Sequence, residues 1–251
     1  MSETLRIAFV VEGSTDLIVL EEVVAGFLEG RDFVVRHLQP EMSESFQPVA
    51  GEHGFGWPGV CRWCLQAAKQ AGGRVRDNLL FGFNDLLVVQ VDADVAGSSY
   101  SAGHIEDPFP GANTLPCEEP CPPASATTDR LRTAVLGWLG EVSPPPRTIL
   151  CTPSKALETW LLVGLFPDDN VLQRDSDIEC REKPETILQG KPRKRRLVSS
   201  GSKDVAKYRE TAPEFADQWD SVTRLCTEAA RFEEDFHRAM ASLDTARGAS
   251  D

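Results

Sequence analysis

The sequence predicts an α/β fold, a mainly parallel sheet flanked by helices and followed by a helical C-terminal extension. Three observations point to it. Short apolar runs alternate with segments of helical period through the first two thirds of the chain. Two of those runs, residues 5–11 (LRIAFVV) and 86–91 (LLVVQV), are nearly unbroken, as strands covered on both faces are. Beyond Pro167 the pattern changes to helical segments separated by charged stretches. Strands that alternate with helices imply βαβ crossovers and a parallel sheet. In such sheets the working residues sit outside the carboxyl ends of the strands.

Residues 5–11 form the first strand. Gly13 and Ser14 break the run, and Ser14 or Thr15 is expected to cap a helix. Its apolar positions Leu17, Leu20, Val23, Val24 and Phe27 recur near the helical period. Residues 33–38 read as a second strand, and 40–58, rich in Pro, Gly, Ser and Glu, as a loop. A helix over 60–71 closes at Gly72-Gly73. The strand over 86–91 ends at Asp92, and a long Gly-, Ser- and Pro-rich loop covers 96–123. A helix over 128–139, a rigid Pro144-Pro145-Pro146 connection, a strand over 147–151 and a helix over 155–165 follow. A last long helix is expected over 213–243, and no internal repeat is present.

The chain has 251 residues, 41% of them hydrophobic, enough for one large α/β domain with a proper core. It lacks an apolar run of about 18 residues, so no membrane association is expected. Met1-Ser2-Glu3-Thr4 leads straight into the first strand without the features of a secretory leader, which makes the cytoplasm the expected location. Seven scattered cysteines, an odd number, read there as free thiols rather than a disulfide framework. The net charge of −13 excludes a protein that holds nucleic acid by being basic all over. An enzyme that recruits phosphate through a bound divalent cation is less exposed to that objection.

Glu12 directly follows the first apolar run, and Asp16 lies four residues on. Asp92 and Asp94 follow the run 86–91 as an Asp-x-Asp pair, and residues two apart in an extended segment face the same side. If the two strands are neighbours, up to four carboxylates meet at one sheet edge. Such a cluster repels itself, and burial sharpens the repulsion. No Lys or Arg close in sequence offsets it, whereas Mg²⁺ or Mn²⁺, hard cations that take oxygen ligands, would. Taken singly, Glu12 also reads as a dipole partner of the helix, and Asp92-x-Asp94 as a turn after a strand.

VEGSTD after one buried strand and VDAD after another resemble the two signatures of the TOPRIM fold. Bacterial primases, topoisomerases and overcoming-lysogenization-defect (OLD) nucleases share that fold. The acid four residues after the glutamate resembles the OLD branch more than the other two. The resemblance implies a TOPRIM-like catalytic domain over residues 1–166 and a helical extension over 167–251 packed on it. It implies endonucleolytic hydrolysis of DNA or RNA that depends on Mg²⁺ or Mn²⁺. Glu12 and Asp16 would hold one ion, and Asp92 and Asp94 the same ion or a second about 4 Å away. Small proteins of this kind occur in bacteria, sometimes beside an ATPase in anti-phage cassettes. An ATPase partner and a role as defence effector are therefore implied too, and an oligomer is compatible with it.

Three further segments bear on this expectation. Pro153-Ser154-Lys155-Ala156-Leu157-Glu158-Thr159-Trp160 occupies another strand-to-helix junction. Glu158 could complete a metal site there and Lys155 could stabilise charge on a phosphate, as a late acid and lysine do in OLD-type nucleases. The ordinary reading is a Ser154 cap, Glu158 at the helix dipole and a core Trp160. The segment 191–196 (KPRKRR) concentrates positive charge in an acidic chain. Lys191, Arg193, Lys194, Arg195, Arg196 and Lys203 are candidates for phosphate-backbone contact, or form a solvated stretch. Lys203 is the second candidate, after Lys155, for the catalytic lysine. Cys61-x-x-Cys64 and Cys117-x-x-x-Cys121, with His53, raise zinc as a minor possibility, against buried small residues in a helix. Tyr100 and Tyr208, the two tyrosines, sit in no context for a strand-passage nucleophile. The alternatives to a nuclease are a catalytically silent module docking on an ATPase partner, and a phosphatase or nucleotide hydrolase.

Overall fold

Four strands form the sheet that the apolar runs predict. The computed structural model describes residues 4–42, 48–49, 51–109 and 114–248. It opens with β1 (Leu5–Val10), α1 (Ser14–Phe27) and β2 (Phe33–Gln39). Two-residue strands β3 (Glu41–Met42) and β4 (Pro48–Val49) pair antiparallel before α2 (Gly56–Gln70). Then come β5 (Leu86–Gln90), α3 (Ser125–Trp138), β6 (Thr148–Cys151) and α4 (Glu158–Leu165). Short helices α5 (Asn170–Arg174) and α6 (Pro184–Gln189) precede a hairpin of β7 (Val198–Ser199) and β8 (Ser202–Lys203). The chain ends in α7 (Val205–Ala216), α8 (Trp219–Leu225) and α9 (Thr227–Gly248).

The sheet order is β2-β1-β5-β6, and every pairing in it is parallel. Alternate residues of each strand enter different layers, the period of two expected of a sheet covered on both faces. Leu5, Ile7, Phe9 and Val11 face one core, and Ala8 and Val10 the other. β5 divides the same way, Leu86 and Val88 against Leu87 and Val89. Helices α1, α4, α7, α8 and α9 cover the first face, and α2 and α3 the second. Phe27, Trp160, Trp219 and Phe232 pack ring against ring in the larger core. The segment after Pro167 thus shares its core with α1 and α4.

The helices that follow β1 and β5 leave toward opposite faces. β1 continues through α1 to β2 on one side, while the chain later returns to β5 on the other side of β1. That reversal opens a crevice between the carboxyl ends of β1 and β5, where ligands bind in open α/β sheets. Glu12 and Asp92 flank it.

Several sequence-based expectations need correction. The single helix over 213–243 is three helices, with Cys226 in extended backbone between α8 and α9. The break is stabilised from a distance: the Glu179 carboxylate accepts from the Thr227 and Glu228 backbone N–H groups at 2.6 and 3.0 Å, serving the orphan donors that open α9. The helix expected from Lys155 begins at Glu158, because Lys155 is held in the left-handed region at φ 64°. Neither Ser14 nor Thr15 caps α1; the cap position is Gly13, without a side-chain bond. Cys121 and Cys180 form a disulfide, so two of the seven cysteines are not free thiols. That bridge ties the long loop to the C-terminal extension. In the predicted loops, residues 43–47, 50 and 110–113 lie outside the described residues, as do residues 1–3. Among the described residues, no helix is long and apolar enough to cross a membrane.

Candidate functional site

The ends of β1 and β5 are joined by side chains rather than by strand pairing alone. Gln90, fully buried, accepts from the Glu12 backbone N–H at 3.0 Å and donates to Asp92 Oδ1 at 2.8 Å. The Asp92 backbone N–H in turn donates to Glu12 Oε1 at 2.8 Å. The Leu157 N–H also donates to Asp92 Oδ1, at 3.2 Å, which brings in the segment after β6. Backbone bonds from Ala93 to Pro153 (2.9 Å) and from Asp94 to Lys155 (3.0 Å) carry the β5–β6 association past the strands. Three neighbouring strand ends are thereby fixed in one place.

Asp16 stands in the first turn of α1 and is buried. Glu158, buried at the start of α4, belongs to the same cluster through a residue distant in sequence. Lys203 reaches across from β8 and places Nζ 2.7 Å from Glu158 Oε1 and 3.4 Å from Asp16 Oδ1. Tyr208 in α7 donates its hydroxyl to the same Glu158 oxygen at 2.7 Å. A hollow of about 360 Å³ opens here, lined by Glu12, Asp16, Phe55, Asp92 and Lys203 among others.

The electrostatics follow from burying several acids around one base. Glu12 is pushed up to about 8, first by desolvation and then by Asp16 and Asp94. Burial lifts Asp16, against the pull of Lys203. Burial, then Glu12, Asp16 and Glu158, hold Asp92 well above the usual carboxylate range. Burial opposes the Lys203 ammonium, but Asp16, Glu158 and Asp92 outweigh it and keep its pKa above that of an ordinary lysine. Asp94 sits at the rim in a short turn with its side chain reaching solvent. It is still lifted to about 6, by partial desolvation and by Glu185 and Glu158.

Among the described residues, no group of three or more His, Cys, Asp and Glu side chains is arranged to hold a metal ion. The carboxylates answer backbone donors, Gln90 and Lys203 instead of closing around a common centre. Their chemistry nevertheless fits a hard cation. All the donors are oxygens, acids outnumber the single lysine, and Mg²⁺ is commonly held by one or two carboxylates with waters and substrate phosphate. Glu12 with Asp16 or Asp92 would supply that minimal set.

The structure treats the two candidate lysines differently. Lys155 Nζ is occupied by Glu182 at 2.6 Å and Glu118 at 3.1 Å, away from Asp16, while Lys203, the less favoured in sequence, lies in the cluster. The basic segment is not one open stripe. Lys191 is buried against Asp169 and the Phe166 ring, Arg195 binds Glu214 and the Leu165 carbonyl, and Arg196 donates to the Lys191 carbonyl. Arg193 and Lys194 remain exposed. Cys61 and Cys64 are buried thiols in α2, with pKa values raised by desolvation, and Cys121 is engaged in the disulfide. The four cysteines therefore do not form a zinc set. Gln90 and Tyr208 were missed by sequence reasoning. Gln90, a lone amide inside an apolar strand, carried a usable signal; Tyr208 carried none. No family model, no curated protein and no solved structure matches the chain.

Proposed function

We propose that this protein hydrolyses phosphodiester bonds in DNA or RNA with the help of a divalent cation, Mg²⁺ or Mn²⁺. One observation carries the reading. Glu12, Asp92 and Glu158 follow three adjacent parallel strands and meet Asp16 of α1 at the crevice where the sheet reverses direction, and Lys203 pairs with two of them, Asp16 and Glu158. An excess of buried carboxylates over cations is unfavourable by itself and is relieved by proton uptake or by a cation. Glu12, Asp16 and Asp92 are the oxygen donors for it, and Asp94 at the rim is a further one. Bound there, the ion supplies polarisation of a phosphoryl oxygen and a water acidic enough to attack at neutral pH. The chain's own part is to fix these oxygens through Gln90 and the Asp92 N–H, and to hold Glu158 between Tyr208 and Lys203. Burial of Asp16, Asp92 and Glu158 strengthens the charge interactions among them.

The test is cleavage of single- and double-stranded DNA and RNA with Mg²⁺, with Mn²⁺ and with a chelator, alongside mononucleotides. Glu12→Gln and Asp92→Asn variants of normal fold are expected to lose cleavage. If both cleave at the parent rate, this mechanism is wrong; turnover of mononucleotides alone makes the enzyme a nucleotide hydrolase. A second reading is a catalytically silent module that docks on an ATPase partner. The pairing of Lys203 with both Asp16 and Glu158 favours it, since an internal ammonium neutralises part of the cluster without an ion. Calorimetric titration with Mn²⁺ separates the two.

A further inference from the structure

Among the described residues, Phe55 is the one apolar ring on the wall of the acidic hollow. It lines that hollow with Glu12, Asp16, Asp92 and Lys203, yet its side chain is 48% exposed. Among the described residues no aromatic ring pairs with it. An exposed phenylalanine on a loose loop would be unremarkable, but this loop is held on both sides of the residue. The Gly54 carbonyl accepts from the buried Gln39 side chain at 2.6 Å, and the Gly56 N–H donates to the Glu12 carbonyl at 3.0 Å. Arg62, on α2, further holds the His53 carbonyl at 2.9 Å. Gly54 and Gly56 both adopt positive φ, 81° and 66°, a backbone that other residues take up at a cost, so the chain folds sharply on either side of the ring. Backbone donors and acceptors are thus spent on fixing a ring that buries only half of itself. The second bond ties that ring to Glu12, a residue of the candidate site.

We infer that Phe55 stacks on an unpaired nucleobase next to the phosphate that the acidic crevice engages, so that the substrate is single-stranded nucleic acid. This rests on the proposed function and narrows it. Every base offers a π face, so an aromatic platform beside a phosphate site binds single strands with little sequence preference. In a duplex the same face is covered by the neighbouring base pair.

Binding of the full-length protein to three fluorescent probes tests this, with Ca²⁺ replacing Mg²⁺ to limit cleavage. The probes are a single-stranded oligonucleotide, its duplex, and an oligomer of the same length with abasic residues throughout. Phe55→Ala should weaken binding of the single strand by roughly five- to a hundredfold, the usual loss for one stacked base, and leave the abasic oligomer unchanged. Phe55→Trp should retain affinity, and its indole fluorescence should be quenched by the single strand but not by the abasic oligomer. Equal affinity of parent and Phe55→Ala for the single strand overturns the inference, as does an equal loss on the normal and abasic probes. If either result comes with cleavage that still needs metal and Asp92, the stacking role alone falls. Absence of any metal-dependent cleavage by the parent overturns the proposed function and this inference with it.

Discussion

The backbone N–H of Asp92 donates to the carboxylate of Glu12 at 2.8 Å, so the end of β5 grips the acid that ends β1. The bond orients one Glu12 oxygen and leaves the other toward the hollow side, near Gly56. It gives the charge at position 12 a role separable from its geometry.

Glu12→Gln retains an oxygen that accepts from the Asp92 N–H while removing the charge. Its fold should stay that of the parent, and near pH 5, where Glu12 is protonated, its thermal midpoint should stay close to the parent's. Its affinity for Mn²⁺, read by calorimetry, should fall by more than about tenfold. A variant that binds Mn²⁺ as tightly as the parent removes Glu12 from the ligand set.

The raised carboxylates predict how stability depends on pH without metal. Glu12 has a folded-state value of about 8 against an ordinary 4.5, so between these limits the folded chain keeps a proton that the unfolded chain has released. Stability therefore falls as pH rises through that window, and the raised Asp16 and Asp92 act in the same sense. The raised Lys203 contributes evenly across it, because its loss begins only above the ordinary lysine value. In chelator, the melting temperature should drop by at least about 4 °C from pH 5 to pH 8, and Mn²⁺ should restore it at pH 8. The difference between parent and Glu12→Gln isolates this acid, since His37, lowered by burial and acting in the opposite sense, is common to both. A parent curve that is flat or rising relative to the variant contradicts the protonated cluster.

Lys203→Met and Lys155→Met should behave differently. Removing Lys203 leaves Asp16 and Glu158 buried without their cation. With about a third of the lysine side chain exposed, that should cost about 1–3 kcal/mol in urea unfolding, less than a fully buried pair. Lys155 pairs with two exposed glutamates, and its loss should cost under about 1 kcal/mol. Equal costs would show that the two ion pairs are equally screened.

Reduction of the Cys121–Cys180 bridge should destabilise the protein by up to about 4 kcal/mol, because the cross-link closes a long loop of 59 residues in the unfolded chain. Thiol titration in denaturant should count five groups before reduction and seven after it. Seven reactive thiols in the untreated protein would rule the bridge out.

Much of the fold was legible because β1 and β5 are buried on both faces and therefore read as unbroken apolar runs. Glu12 and Asp92 were legible for the same reason, as the first acids after those runs. Lys203 was not, because a two-residue hairpin strand leaves no periodic trace and its partners lie far away in sequence. The split of the last helix was hidden likewise: Glu179, which serves the start of α9, is 48 residues from Thr227. The disulfide could not be inferred from spacing, since Cys121 and Cys180 meet only once the extension folds over the long loop.

Gly13, which precedes α1, has an extended backbone at φ −147° that any amino acid could adopt. What singles it out is room. A methyl group there would come within 3.1 Å of Asp16 Oδ2, so the carboxylate would have to give way by a few tenths of an ångström. The smallest residue in the chain thus sets the seat of one of its most deeply placed acids, and any side chain added at that point is transmitted to the lysine on the far side.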